Sequence, residues 1–223
     1  MQQQPQAVIF DLDGTLIDTA NDFIHIVQRM RRQHGLPALP AAAVRRRVSD
    51  GAGALVTLAL GSAPEHPDHE TLRLQFLDHY AALVGQYSQP YPGMHALVKH
   101  LGKQSVPWGV ATNKARRFAE PLMKAMGFSP AAGSIVTPCD VTNPKPHPES
   151  IALACQQLSA DPAKSIYVGD HRRDIDAGRA AGCFTIAAAY GYIDTGDCPS
   201  QWGADAIATT ALDLTTMIMR MTP

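Results

Sequence analysis

Three short apolar runs, each cut off by a polar residue, constrain this chain more than any other feature. Ala7-Val8-Ile9-Phe10 ends in Asp11, Val106-Pro107-Trp108-Gly109-Val110-Ala111 ends in Thr112, and Ser165-Ile166-Tyr167-Val168 ends in Gly169-Asp170. Runs this short, apolar on both faces, are what strands buried inside a parallel sheet require. Between them the period becomes helical: from Asp22 to His34 the apolar residues are Phe23, Ile26, Val27 and Met30, and Gly35 and Pro37 close the pattern. Strands alternating with helices specify βαβ units, hence an α/β fold on a parallel sheet. Ser134 to Val136, Phe184 to Ala188 and Ala206 to Ala208 supply further strands. Pro121, inside the apolar-periodic stretch Arg117 to Met126, implies either a kinked helix or one beginning near Glu120.

No strand pattern separates the first run from Val106. Ala41 to Leu60 and Glu70 to Tyr87 are instead helical in period, divided by the turn-rich Gly61-Ser62-Ala63-Pro64-Glu65-His66-Pro67-Asp68. Residues 17–89 therefore read as a helical domain inserted into a core made of residues 1–16 and 90–223, with Pro90-Tyr91-Pro92-Gly93 as the hinge. A chain of 223 residues, 45% of them hydrophobic, can bury one substantial core and still carry a small second domain.

Ligands of open α/β sheets bind just outside the carboxyl ends of the strands, so the residues that end the apolar runs would enter one site together. Asp11 and Asp13 share a side of the chain by period-two alternation, and Gly14 then permits a sharp turn. Like charges that close repel unless a cation lies between them, and oxygen ligands without nearby His or Cys suit a hard ion, magnesium first. Thr112 and Asn113 bring a hydroxyl and an amide to the second strand end. Lys145 sits in the Pro-rich loop Asn143-Pro144-Lys145-Pro146-His147-Pro148 ahead of a helical pattern starting near Glu149, and Asp170 and Asp174 are a further pair of acids after the third strand.

In this order the residues resemble the motifs of the haloacid dehalogenase superfamily: Asp11-Leu12-Asp13-Gly14-Thr15, then Thr112, then Lys145, then Gly169-Asp170 with Asp174. The resemblance runs over essentially the whole chain. It implies a Rossmann-like core with a helical cap and a phosphomonoester hydrolase in which Asp11 is the nucleophile that becomes an aspartyl-phosphate. Asp13 would protonate the leaving oxygen and later take a proton from water. Asp11, the backbone carbonyl of Asp13 and Asp170 would hold magnesium, Thr112, Asn113 and Lys145 would bind the phosphoryl group, and Asp174 would support metal waters or Lys145. Many relatives carry a small residue after the acid of the fourth motif where this chain has His171.

Substrate choice is expected in the cap. Val44-Arg45-Arg46-Arg47-Val48-Ser49-Asp50-Gly51-Ala52-Gly53-Ala54-Leu55 resembles the specificity loop of the phosphoglycolate phosphatase branch, and Arg45 is the candidate to grip a substrate carboxylate. The strings Trp108-Gly109-Val110-Ala111-Thr112-Asn113-Lys114, Arg117-Phe118-Ala119-Glu120-Pro121-Leu122-Met123, Tyr190-Gly191-Tyr192-Ile193 and Trp202-Gly203-Ala204-Asp205 are similar to members of that branch acting on an amino-sugar-acid phosphate, and the resemblance implies N-acetylmuramic acid 6-phosphate of peptidoglycan recycling as the expected small-molecule substrate. A 2-phosphoglycolate phosphatase and a sugar phosphomutase are the alternatives.

Net charge of −1 gives no electrostatic footprint for nucleic acid or an anionic membrane, and Arg45-Arg46-Arg47 is the only dense basic cluster. Met1-Gln2-Gln3-Gln4-Pro5-Gln6 lacks the basic and apolar regions of an export signal, and no apolar run approaches the roughly 20 residues that span a bilayer. Four cysteines without a C-x-x-C pair fit reduced thiols, and nine scattered histidines show no ligand spacing, so the expected location is the cytoplasm.

Overall fold

The computed structural model describes residues 4–222; Pro223 and Met1, Gln2 and Gln3, with which the N-terminal stretch read above begins, lie outside the described residues. The chain runs through β1 (Ala7–Phe10), β2 (Ile17–Asp18), α1 (Ala20–Gln33), α2 (Ala41–Arg45), α3 (Gly51–Leu60), α4 (His69–Leu83) and β3 (Gln89–Pro90). It continues with α5 (Met94–Lys103), β4 (Trp108–Ala111), α6 (Arg116–Met126), β5 (Ser134–Val136), α7 (Glu149–Gln157), β6 (Ser165–Gly169), α8 (Arg172–Ala181), β7 (Phe184–Ala188), β8 (Ala206–Ala208) and α9 (Ala211–Met221). Two compact units result, a core extending to Asp18 and resuming at Pro90, and a helical unit of Thr19–Gln89. The first crossing thus lies two residues beyond the expected boundary at Leu16.

The core is a six-stranded sheet in the order β5-β4-β1-β6-β7-β8. Every pairing is parallel, with Val8 opposite Trp108 on one side of β1 and opposite Ile166 on the other. The four residues of β1 are fully buried, as a strand covered on both faces demands. The ladder runs one rung past two of the strands: the Asp11 NH donates to the Val168 carbonyl at 2.8 Å and the Thr112 NH to the Val136 carbonyl at 3.0 Å. The polar residues that end the runs are thereby held as firmly as the strands. Helix α6 is continuous from Arg116 through Pro121 to Met126, rather than starting near Glu120. The amide lost at Pro121 removes one intrahelical bond, which burial of Phe118, Ala119, Leu122, Met123 and Met126 offsets.

The helical unit packs α1 against α2, α3 and α4, and α3 against α4. Phe23 anchors it, with its ring 4.6 Å from that of Tyr80 and stacked on Phe76 at 6.2 Å. The continuous helix expected over Ala41–Leu60 is broken: α2 ends at Arg45, a 3-10 turn spans Val48–Asp50, and α3 starts at Gly51, whose φ of +84° a side-chain-bearing residue would resist. The helix expected to reach Tyr87 stops at Leu83. Asp22, fully buried in the first turn of α1, takes the Gly85 and Tyr87 amides at 2.8 Å each and the Ser88 hydroxyl at 2.6 Å. Amides bound to a carboxylate no longer donate to helical carbonyls, so the helix cannot continue. Among the described residues, no helix is long and apolar enough to cross a membrane.

Candidate active site

Because β4, β1 and β6 are neighbours, their carboxyl ends place Thr112, Asp11 and Asp170 side by side. The fourth motif places Asp174 in the first turn of α8, where its Oδ2 accepts the His171 amide at 3.0 Å in a capping box. Ligand oxygens of Asp11, Asp170 and Asp174, all buried, lie within 4.8 Å of one another. The turn that makes this possible depends on Gly14, at φ +82°, where a Cβ would collide with the Asp170 carboxylate.

One buried cation faces these three acids. Lys145 Nζ is 2.6 Å from Asp11 Oδ1, 2.6 Å from Asp174 Oδ1 and 2.9 Å from the Tyr167 hydroxyl. Burial works to neutralise the ammonium, but Asp11 and Asp174 outweigh it and hold its pKa above the ordinary lysine value. An ammonium has three protons to donate, and all three are engaged. In this state Lys145 is therefore a clamp that aims Asp11, and it reaches a phosphoryl oxygen only by exchanging a partner. The Tyr167 hydroxyl donates onward to the Ala111 carbonyl at 3.0 Å, which leaves its oxygen to accept from Lys145.

Asp170 is in the opposite condition. Burial first, and then the like charges of Asp11 and Asp174, push its carboxyl well above the usual carboxylate range, against the opposing pull of the Tyr192 amide at 2.7 Å. Three acids gather oxygen donors around the Lys145 ammonium, with the charge of Arg173 a lesser opposing influence on Asp170 and Asp174. That donor set fits a hard divalent cation.

The remaining sequence-derived residues separate into several roles. Asp13 turns both oxygens toward Lys114, whose Nζ lies 2.9 and 3.1 Å away with its side chain only 5% exposed. The Thr112 hydroxyl accepts the Lys114 amide at 3.2 Å, which leaves its own proton to donate. Asn113, expected on the phosphoryl group, instead spends both ends of its amide on the Lys145 backbone: its Nδ2 donates to the carbonyl at 3.0 Å and its Oδ1 accepts the NH at 3.1 Å. It fixes the loop that carries Lys145. The His171 ring accepts the Arg173 amide at 3.2 Å and serves as the N-cap of α8. Arg45, in the last turn of α2, belongs to the helical unit and is partly exposed, while its neighbour Arg47 pairs with Asp50 at 3.0 Å. Lys114 and Tyr167 are the two site residues that sequence reasoning missed. Lys114 stood two residues after Thr112 in the right string, whereas nothing in the pattern of β6 set Tyr167 apart.

Comparison with known proteins agrees with this geometry. Residues 8–188 match the family model described as haloacid dehalogenase-like hydrolase. A relative from Pseudomonas aeruginosa, named N-acetylmuramic acid 6-phosphate phosphatase, is 46% identical over 96% of this chain and 95% of its own. A phosphoglycolate phosphatase from Xanthomonas campestris is 34% identical over 91% of each chain. Among solved structures, a predicted phosphoglycolate phosphatase from Haemophilus somnus superposes with a TM-score of 0.83 at 24% identity, covering 97% of this chain and 99% of its own. With a family match that spans both units and relatives aligned almost end to end, the chain belongs to the haloacid dehalogenase-like hydrolase family, among its phosphatases.

Proposed function

We propose that this phosphatase works with magnesium, through an aspartyl-phosphate on Asp11, and that its substrate is N-acetylmuramic acid 6-phosphate. The observation that carries the chemistry is the charge pattern of the pocket: Asp11 is aimed by Lys145 and stands beside Asp170, whose carboxyl is pushed up by burial and by Asp11 and Asp174 more than the Tyr192 amide and the charge of Arg173 pull it down. Asp11 Oδ attacks phosphorus and the ester P–O bond breaks, while Asp13 gives its proton to the departing oxygen. Water then attacks the phosphorus of the aspartyl-phosphate, Asp13 takes the water's proton, and phosphate leaves with Asp11 restored. Because Asp13 rests on Lys114, delivering its proton requires the carboxyl to turn off that ammonium. Thr112 donates to a phosphoryl oxygen, and Asn113 keeps the Lys145 loop in register with β4. Asp11, Asp170 and the Asp13 backbone carbonyl would hold magnesium, whose positive charge would be available to the phosphoryl oxygens.

The substrate assignment is supported by the greater identity to the relative named for N-acetylmuramic acid 6-phosphate than to those named for phosphoglycolate. Arg45 is assigned to the lactyl carboxylate of that sugar. The test is phosphate release from N-acetylmuramate 6-phosphate, 2-phosphoglycolate and hexose phosphates, with magnesium and with chelator. N-acetylmuramate 6-phosphate should lead in kcat/KM by about tenfold or more, and chelator should abolish turnover of every substrate. A lead for 2-phosphoglycolate would overturn the substrate assignment, and full activity in chelator would overturn the metal.

A further inference from the structure

The string Tyr190-Gly191-Tyr192-Ile193 takes no part in the chemistry above, yet its bonds join the acid cluster to both places where the chain passes between units. The Tyr192 amide donates to Asp170 Oδ2 at 2.7 Å, and the hydroxyl of the same residue donates to Asp18 Oδ1 at 2.9 Å. Asp18 is the last residue of the core unit before the chain leaves it. The Tyr190 hydroxyl donates to the Thr15 carbonyl at 2.8 Å, and its ring meets that of Tyr91 edge-on, with centroids 4.9 Å apart. Tyr91 immediately follows the return at Pro90, and its amide donates to the Leu16 carbonyl at 3.2 Å. All of these residues belong to the core unit.

Tyr192 is 3% exposed and Asp170 is 2% exposed. Interiors this closely packed pass on displacement rather than absorb it. Asp170 is one of three buried acids whose ligand oxygens lie within 4.8 Å of one another, so a cation seated among them acts on its position and its bonds. Whatever moves Asp170 pulls on the Tyr192 amide, and the rigid phenol carries that pull to Asp18.

We propose that Tyr192 is a positioning residue that couples the two tasks: its amide orients Asp170 for the cation and its hydroxyl holds Asp18, so that seating a cation in the acid cluster tightens the crossings at Leu16–Asp18 and Tyr91. This rests on the magnesium reading above. Tyr190 supports the same linkage by holding the carbonyl of Thr15 and packing against Tyr91.

Amide hydrogen exchange, measured with and without magnesium and without substrate, tests it. In the wild-type protein, magnesium should slow exchange severalfold at Leu16, Ile17, Asp18 and Tyr91. Tyr192→Phe keeps the amide and loses the hydroxyl. Its magnesium affinity by calorimetry should stay close to that of the wild type, while the slowing at the crossings disappears. Asp18→Asn retains an oxygen to accept the phenol and should keep the slowing, whereas Asp18→Ala should lose it; this pair decides the matter if Tyr192→Phe fails to fold. Slowing that persists in both Tyr192→Phe and Asp18→Ala, or that is lost equally in Asp18→Asn and Asp18→Ala, overturns the linkage while leaving the magnesium reading intact. Absence of magnesium binding to the wild-type protein overturns both.

Discussion

Each unit of this protein buries carboxylate, and the two do so by opposite means. In the helical unit Asp22 meets two backbone amides and one hydroxyl, neutral donors that satisfy it completely. In the core, Lys145 bridges Asp11 and Asp174, while the hydrogen-bond donors to Asp170 are the Tyr192 amide and, at 3.3 Å, the Thr15 hydroxyl, with Arg173 acting on it by charge. A buried acid saturated by neutral donors serves the fold. One placed among like charges stores a demand for a cation and marks the place where chemistry occurs.

The sharpest way to break that distinction is to neutralise one acid of each kind. Asp11→Asn should leave the fold intact and lower kcat by at least ~10³-fold, because an amide cannot form the aspartyl-phosphate. Steady-state kinetics on a sample checked by mass spectrometry for deamidation measures this, and turnover near that of the wild type would remove Asp11 from the nucleophile's role. Asp22→Ala should do the reverse. With three donors left without their acceptor, the helical unit should lose roughly 2–4 kcal/mol, read in denaturant unfolding, while magnesium affinity is unchanged. A wild-type unfolding midpoint would show that water replaces the carboxylate at little cost.

The contrast also explains which residues can be seen in a sequence. Asp11, Thr112 and Asp170 are legible because each interrupts an apolar run, and a polar residue at the end of a buried strand has few places to go. Tyr167 is not, since β6 is covered on both faces and its alternation carries no polarity to show which side chains point toward the site. Lys114 was visible as a residue but not as a partner: whether a lysine three positions past a strand reaches Asp13, 101 residues away in the chain, depends on turn geometry that spacing does not encode. The break before Gly51 was hidden for a different reason, because the apolar period of Ala41 to Leu60 runs on through the end of α2 at Arg45, the 3-10 turn over Val48–Asp50 and the positive φ of Gly51. The limits of α4 were likewise set by Asp22, a tertiary contact that overrides local period.

A smaller effect sharpens the comparison on the substrate side, where the helical unit has a charge that is partly exposed. If Arg45 grips the lactyl carboxylate, Arg45→Ala should lower kcat/KM for N-acetylmuramate 6-phosphate by roughly 1.5–3 kcal/mol, the range for a hydrogen bond between charged groups. N-acetylglucosamine 6-phosphate, which lacks that acid, should be a poor substrate and nearly indifferent to the change. Equal losses on both sugars would move Arg45 from carboxylate recognition to a general contribution.

The smallest expected effect follows from the raised pKa of Asp170, and it reads the acid cluster of the core directly. In the metal-free protein this carboxyl titrates above its unfolded value, so the folded state keeps a proton that the unfolded chain has released. Its contribution to stability is complete below the ordinary carboxylate range, about pH 4, and is lost as pH rises through the raised value. Magnesium bound there would take the place of that proton. Thermal stabilisation by a fixed excess of magnesium should therefore be slight in acid and grow with pH, by no more than about 1.4 kcal/mol per pH unit for one proton displaced, or a few degrees in Tm for a chain of this size. Asp170→Asn has no proton to exchange and should flatten the slope. Asp22→Asn, in the acid site that neutral donors already satisfy, should leave it unchanged. Magnesium stabilisation that is constant with pH in the wild-type protein, or a slope that Asp22→Asn alters as much as Asp170→Asn does, would mean that magnesium displaces no proton from Asp170.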